Sequence, residues 1–244
     1  MIKIMNLTVH FAEHTVLDNI SCVIPKKQIT CIIGKSGVGK SVLMKTVLGL
    51  IPYQQGAIEI DHLLCDWQKP QEFQKIKKKM TMLFQSSALF DSMSVFQNIA
   101  FPLYEKRTMK FPTIEEKVHR IISLANLSPQ ILSLYPADLS GGMRKRVALA
   151  RAIIQEPEYL IYDEPTTGLD PITGEEIINL IGSVHRQLGM TSIVITHDLE
   201  CIKSLSNQLI LLHAAKIIFH DDYQNFKNAE HEVAKDFVRH IQHF

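Results

Sequence analysis

The sequence predicts an α/β fold in which a Gly-rich loop joins a buried strand to a helix. Three stretches predict it. Residues 29–33 (ITCII) form a short apolar run, Gly34–Ser41 (GKSGVGKS) follows at once, and Val42, Leu43, Val47 and Leu48 then recur at helical spacing. Farther on, 159–162 (YLIY) and 191–196 (TSIVIT) read as further buried strands separated by helix-period segments. Alternation of this kind is the pattern of an α/β sheet.

The loop has a physical job. Glycines let the backbone curl so that successive N–H groups face an anion, and the following helix adds its positive end. Gly34, Lys35, Ser36, Gly37, Val38, Gly39, Lys40 and Ser41 are therefore the expected phosphate cradle. Within it Lys40 would reach the β/γ-phosphates and the Ser41 hydroxyl would ligate Mg²⁺. A nucleoside triphosphatase is expected from this stretch alone.

Composition bounds the rest. The chain has 244 residues, enough for one α/β core with a subdomain, and its formal net charge of +1 gives no global pull toward nucleic acid. Cys22, Cys31, Cys65 and Cys201 form no close-spaced pair and read as free thiols in a reducing compartment. No apolar run approaches the ~18 residues of a membrane span, and the start, MIKIMNLTVHF, alternates like a strand. A protein of the cytoplasm is expected, reaching a membrane only through a partner.

In order, residues 2–11 and 20–24 are expected as strands about a turn at Glu13-His14, with Phe11 at a strand end, either in the core or stacked on a base. Gly56–Ile60 is a short strand followed by a turn at Asp61-His62. Residues 68–79, with Lys75, Lys77, Lys78 and Lys79, read as a solvated surface helix. Met80–Phe84 is a strand running to Gln85. Residues 86–140 carry no strand signal and read as an inserted helical subdomain. Within it Ser94 should cap a helix that Pro102 interrupts, and Thr113 with Glu116 should form a capping box.

Ser140 should open the next helix, with Gly141-Gly142 making a second anion-binding helix start. Strand 159–162 runs into Asp163-Glu164. Because alternate strand residues point opposite ways, Asp163 can hold Mg²⁺ through water while Glu164 contacts the attacking water. A helix over 172–188 should end at Gly189, and strand 191–196 ends at His197, placed to meet a γ-phosphate. Gln208–Leu212 and Lys216–His220 read as a hairpin. Residues 222–244 form a C-terminal helical tail with Phe226, Val233, Phe237, Ile241 and Phe244 at mainly helical spacing and His231, His240 and His243 exposed among them.

The run LSGG at Leu139–Gly142, with these motifs, resembles the signature of the ATP-binding-cassette (ABC) ATPases, and the likeness spans the chain as a single nucleotide-binding domain, 1–244. Gly34–Ser41 is similar to the Walker A motif, Gln85 to the Q-loop glutamine, and Leu160–Asp163 to Walker B. Glu164 is similar to the catalytic glutamate, Leu169-Asp170 to the D-loop, His197 to the switch histidine and Phe11 to the base-stacking aromatic. The resemblance implies a P-loop NTPase fold of the ABC ATPase type, with an antiparallel β subdomain. It implies ATP and Mg²⁺, the metal held by Ser41, Gln85 and Asp163. It also implies catalysis by Lys40, Glu164 and His197, with ATP contacts from Phe11, Gln85, Leu139–Gly142 and Asp170. Two copies would sandwich the nucleotide head to tail.

LSGGMRKRVALARAI, with Met143, and FQSSALFDSMSVFQNIAFPL are similar to the ATPases of MCE-type lipid transporters, the Mla branch among them. That implies a permease in the inner membrane, an MCE-domain lipid-binding subunit and attachment on the cytoplasmic side. It also implies a groove at 86–105, with Leu89, Phe90, Met93 and Phe96, for a permease coupling helix. In Mla-type relatives the C-terminal segment helps hold the dimer; here the tail is short. The alternative is the ATPase of another permease, of the polar amino-acid or lipoprotein-release type. A nucleic-acid or ribosome partner is not expected from the near-neutral charge and single cassette.

Overall fold

A computed structural model describes residues 1–65, 74, 76–106 and 109–242. Most of the lysine-rich 68–79 segment, Lys75 included, and the tail residues His243 and Phe244 lie outside the described residues.

Two sheets organise the chain. Strands β1 (Ile2–Phe11), β2 (His14–Ile24), β4 (Gln55–Ile60) and β5 (Leu63–Leu64) form an antiparallel sheet in the order β2-β1-β4-β5. Strands β3 (Ile29–Ile33), β6 (Met80–Leu83), β7 (Tyr159–Asp163), β8 (Thr191–Ile195), β9 (Gln208–His213) and β10 (Lys216–Asp222) form a second sheet, ordered β10-β9-β3-β8-β7-β6. Its pairs are parallel except β9–β10. Helices α1 (Lys40–Val47), α2 (Val95–Lys106), α3 (Phe111–Leu124), α4 (Gly141–Ile153), α5 (Pro171–Leu188), α6 (Leu199–Leu205), α7 (Tyr223–Phe226) and α8 (Glu232–Gln242) connect and cover them.

Strands β3, β7 and β8 are buried along their whole length, so each reads as a continuous apolar run rather than an alternating one. The pleat still sorts their side chains. Cys31, Ile33, Leu160, Tyr162 and Val194 join the helical side of the core. Ile32, Ile161, Ile193 and Ile195 join the core shared with α1 and the antiparallel sheet. The parallel arrangement brings the C-terminal ends of β3, β6, β7 and β8 to one edge, where open α/β sheets bind ligands.

Several boundaries differ from the expectation. Strand β2 begins at His14, and the turn is Ala12-Glu13, with Ala12 at φ 51. Thr15, Asp18 and Asn19 had masked that strand because its outer residues are polar. Pro102 lies inside α2 without ending it. Ser94 does cap that helix: its hydroxyl accepts from the Gln97 amide at 3.2 Å, and Gln97 Oε1 accepts from the Ser94 amide at 2.9 Å. The Thr113 capping box does not form; α3 starts at Phe111, capped at Lys110 without a side-chain bond. Pro112 explains this, since proline is at home in the first turn. The tail is two helices rather than one, and residue 222 still belongs to β10.

One polar knot joins the two sheets. Asp61, in the β4–β5 turn, accepts from Tyr159 Oη at 2.6 Å, while Lys26 Nζ lies 2.8 Å and Lys79 Nζ 3.4 Å from its carboxylate. Burial alone would raise this carboxyl, but hydrogen bonds from Lys26, the Met1 ammonium and Tyr159 outweigh it and hold it well below the usual range. A depressed folded-state pKa contributes stability that is fully present above the unfolded value of about 3.9 and is lost as pH falls below it. Asp61→Asn is expected to cost about 1–3 kcal/mol in chemical denaturation at pH 7 and to flatten the acid limb of the stability profile. An unchanged acid limb would remove Asp61 from the account.

Candidate functional site

The Gly-rich loop leaves β3 at Gly34, whose φ of 148 suits glycine alone, and a Cβ there would lie 2.4 Å from the Leu212 carbonyl oxygen. Gly39 closes the loop at φ 103, where a Cβ would meet the Val16 carbonyl oxygen at 2.9 Å. The loop is thus wedged between β9 and β2. The same contact sets the β1–β2 hairpin beside the loop, with Phe11 exposed at its tip. Among the described residues no acceptor takes up the Val38, Gly39, Lys40 or Ser41 amides, so four N–H groups stay available at the start of α1.

Lys40 is almost wholly buried, 6% exposed. Its ammonium donates to the Gly34 carbonyl at 2.8 Å and the Lys35 carbonyl at 3.1 Å, and stands 3.7 Å from Glu164 Oε1. Burial pushes it below the ordinary lysine range, while Glu164 and Asp163 pull it back up. An anion entering the loop would displace those carbonyls as partners of the ammonium.

From β7, the Asp163 carboxylate accepts from the Ser41 hydroxyl at 2.7 Å. Among the described residues no three His, Cys, Asp or Glu side chains gather closely enough to hold a metal by themselves. A cation here would rely on hard oxygen donors: the Ser41 hydroxyl, Asp163 and a phosphate.

Glu164 has left the strand. Its φ is 50, a left-handed conformation uncommon for a non-glycine, pinned by the hydrogen bond from its amide to the Ile195 carbonyl at 2.9 Å. Strain of this kind costs of order 1–3 kcal/mol and persists where the surroundings over-determine it. The twist turns the side chain back over the site. There its Oε2 lies 2.8 Å from His197 Nδ1.

Lys40, Ser41, Asp163, Glu164 and His197 therefore converge through direct contacts. Gln85 follows β6 on the same sheet edge; its side chain is exposed and its backbone carbonyl accepts from Lys145. Leu139–Gly142 does not join them. The Ser140 hydroxyl accepts from the Met143 amide at 3.2 Å and caps α4, and the Gly141 and Gly142 amides meet no acceptor among the described residues. This segment packs instead on the chain after Glu164. A Cβ at Gly141 would meet Leu169 at 3.4 Å, and one at Gly142 would clash with Thr173 at 2.6 Å. Asp170 caps α5, accepting from the Thr173 amide at 3.0 Å.

Sequence reasoning missed the link between these parts. Thr166 donates to Asp198 Oδ2 at 2.8 Å, and Asp198 also caps α6 through the Glu200 and Cys201 amides. Thr166 and Asp198 lie 32 residues apart, and no local pattern in the sequence joins them.

Known proteins match this chain. A family model described as ABC transporter matches residues 17–167. Over 209 residues the chain is 37% identical to the intermembrane phospholipid transport system ATP-binding protein MlaF of Escherichia coli strain K12, covering 86% of this chain and 77% of that one. Over 238 residues it is 37% identical to the methionine import ATP-binding protein MetN of Clostridium tetani, covering 96% and 74%. Among solved structures, the dimeric post-hydrolysis ATP-binding cassette MJ0796 bound to ADP and Pi superposes with a TM-score of 0.81 at 28% identity, over 91% of this chain and 98% of that one. Clostridium perfringens cbiO1, part of the ABC transporter complex cbiONQ, superposes with a TM-score of 0.85 at 25% identity, over 100% and 98%.

Proposed function

The chain belongs to the ABC transporter family and is an ATPase coupled to transport; on that premise we propose that it powers an MCE-type phospholipid transporter. It would work as a head-to-tail dimer of two copies, held at the cytoplasmic face of the inner membrane by an integral-membrane permease that also carries an MCE-domain lipid-binding subunit. No described helix is long and apolar enough to cross a membrane. The observation that carries the dimeric ATPase is the split site: hydrolytic groups converge at the Gly34–Ser41 loop while the free amides of Gly141 and Gly142 open elsewhere on the same chain. A second copy in reverse orientation would bring its Ser140–Gly142 onto the γ-phosphate, with Asp170 at the junction. MJ0796, a relative at 28% identity, is dimeric with ADP and Pi bound.

In this arrangement Phe11 stacks on the base, and the amides of Lys35 to Ser41 cradle the phosphates. Mg²⁺ would be held by Ser41, Asp163 and Gln85 and would neutralise charge on the phosphate oxygens. Glu164, steadied by His197, orients the attacking water and takes its proton. The water oxygen bonds to the γ-phosphorus, the bond to the bridging oxygen breaks, and ADP and phosphate leave. Lys40 and the Ser140–Gly142 amides stabilise charge on the phosphoryl group in flight.

The lipid assignment rests on the similarity around Met143 and on the MlaF relative. A groove of about 400 Å³ lined by Phe84, Ala88, Phe90, Phe101, Pro102 and Arg151 would take the permease's coupling helix; of the residues expected there Phe90 lines it, Met93 does not, and Leu89 and Phe96 pack against the core instead. The second reading, an amino-acid importer, is favoured by the MetN relative, 37% identical. Purification of the tagged chain from detergent-solubilised membranes separates them. An MCE-domain subunit is expected to co-purify with the permease. A periplasmic-type amino-acid binding protein in its place would overturn the lipid assignment.

A further inference from the structure

Lys145 lies on the second turn of α4, 6% exposed. Among the described residues no carboxylate lies within 4 Å of its ammonium. Its hydrogen bond goes to the backbone carbonyl of Gln85. Burial pushes it below the ordinary lysine range, and Asp163 and Glu164, acting from farther off, are the charges that oppose that penalty. Burying a cation without an adjacent counter-ion is unfavourable, and an apolar side chain of similar length would fill the space at no such cost. Filling space therefore does not account for the charge.

Farther along the same helix, Arg151 repeats the arrangement. Its guanidinium donates to the Ser87 carbonyl at 3.0 Å and sits 5.6 Å from the centre of the Phe90 ring. Ser87 and Ala88 are both in the left-handed region, φ 63 and 46. Two cations from α4 thus hold two carbonyls, those of Gln85 and Ser87, in a contorted loop that leads from the site to the apolar groove. The N-terminus of α4 is Ser140–Gly142.

We propose that Lys145 is a positioning residue for ATP hydrolysis, fixing the Gln85 backbone so that the glutamine meets its own subunit's metal. The residue touches neither nucleotide. It acts through Gln85 and joins the half-site a subunit offers its partner to the half-site it keeps. The inference rests on the proposed role of Gln85 at the metal.

The test is steady-state ATP turnover of the full chain, titrated separately in ATP and in Mg²⁺, for Lys145→Met, Lys145→Arg, Gln85→Ala and the Lys145→Met/Gln85→Ala double variant. Losing a charge-assisted hydrogen bond of this kind corresponds to about tenfold in rate. Lys145→Met is expected to lower kcat about tenfold and to raise the Mg²⁺ requirement, with ATP affinity within about twofold and thermal stability at or above wild type. Lys145→Arg should restore most of the rate, and the double variant should be no worse than Gln85→Ala alone. If Lys145→Met turns over like wild type while Gln85→Ala is slow, Lys145 has no such role and the reading of Gln85 stands. If Gln85→Ala is silent, the reading of Gln85 has failed and this inference with it. Arginine failing to rescue, or fully additive losses, would also overturn it.

Discussion

Glu164→Gln is expected to bind ATP with near wild-type affinity and to hydrolyse it about 10²–10⁴-fold more slowly, the range a positioned general base contributes. The amide keeps the size of the side chain and accepts at one atom only. It cannot take a proton from water, and its approach to His197 Nδ1, 2.8 Å in the carboxylate form, loses its charge. The left-handed backbone at position 164 is set by the hydrogen bond to Ile195 and does not depend on the carboxylate, so the fold of the site should survive. Because ATP would bind without being consumed, the closed dimer should accumulate. Size-exclusion chromatography with ATP should show it, whereas wild-type protein should return to monomer as ATP is spent. Wild-type turnover by this variant would remove Glu164 from its role.

Lys40→Ala is expected to weaken ATP binding about tenfold to a hundredfold and to abolish measurable turnover. The ammonium is buried and bonded to two loop carbonyls, at 2.8 and 3.1 Å, so its removal takes away both the phosphate's nearest fixed cation and the brace that shapes the loop. A charge-assisted hydrogen bond is worth about 1.5–3 kcal/mol, which sets the affinity estimate. Isothermal titration with a non-hydrolysable ATP analogue measures it. Unchanged affinity would count against the loop as the phosphate site.

The parts of this site that could be read in the sequence are those fixed by short-range physics. The strand, glycine turn and helix at 29–48 declare themselves because only glycine tolerates the backbone at Gly34 and Gly39. Asp163-Glu164 and His197 were visible because each ends an apolar run. Resemblance to a family added Gln85, Asp170 and the use of Leu139–Gly142, which spacing alone left without a job. Contacts joining distant segments were hidden. Nothing in the sequence tells that Thr166 meets Asp198, or that the lysine two places after Met143 reaches the Gln85 carbonyl. Local expectations failed where two rules competed. At Thr113 the capping residues were present, but Pro112 let the helix start three residues earlier, with Lys110 rather than Thr113 at the N-cap. In β2 the polar outer face of a sheet edge hid half the strand.

The central claim is that each chain holds only half of an ATPase site. Mixing two inactive variants tests it most directly. Lys40→Ala spoils the phosphate loop and leaves Ser140–Gly142 intact; Ser140→Arg spoils the second anion site and leaves the loop intact. Each alone should be inactive, since every site in its homodimer carries the defect. Mixed, they form heterodimers in which one site combines the intact loop of the Ser140→Arg chain with the intact helix start of the Lys40→Ala chain. The account predicts ATPase activity in the mixture well above that of either parent, rising with the fraction of heterodimer. A mixture no more active than the average of its parents would contradict it and place the whole site within one chain.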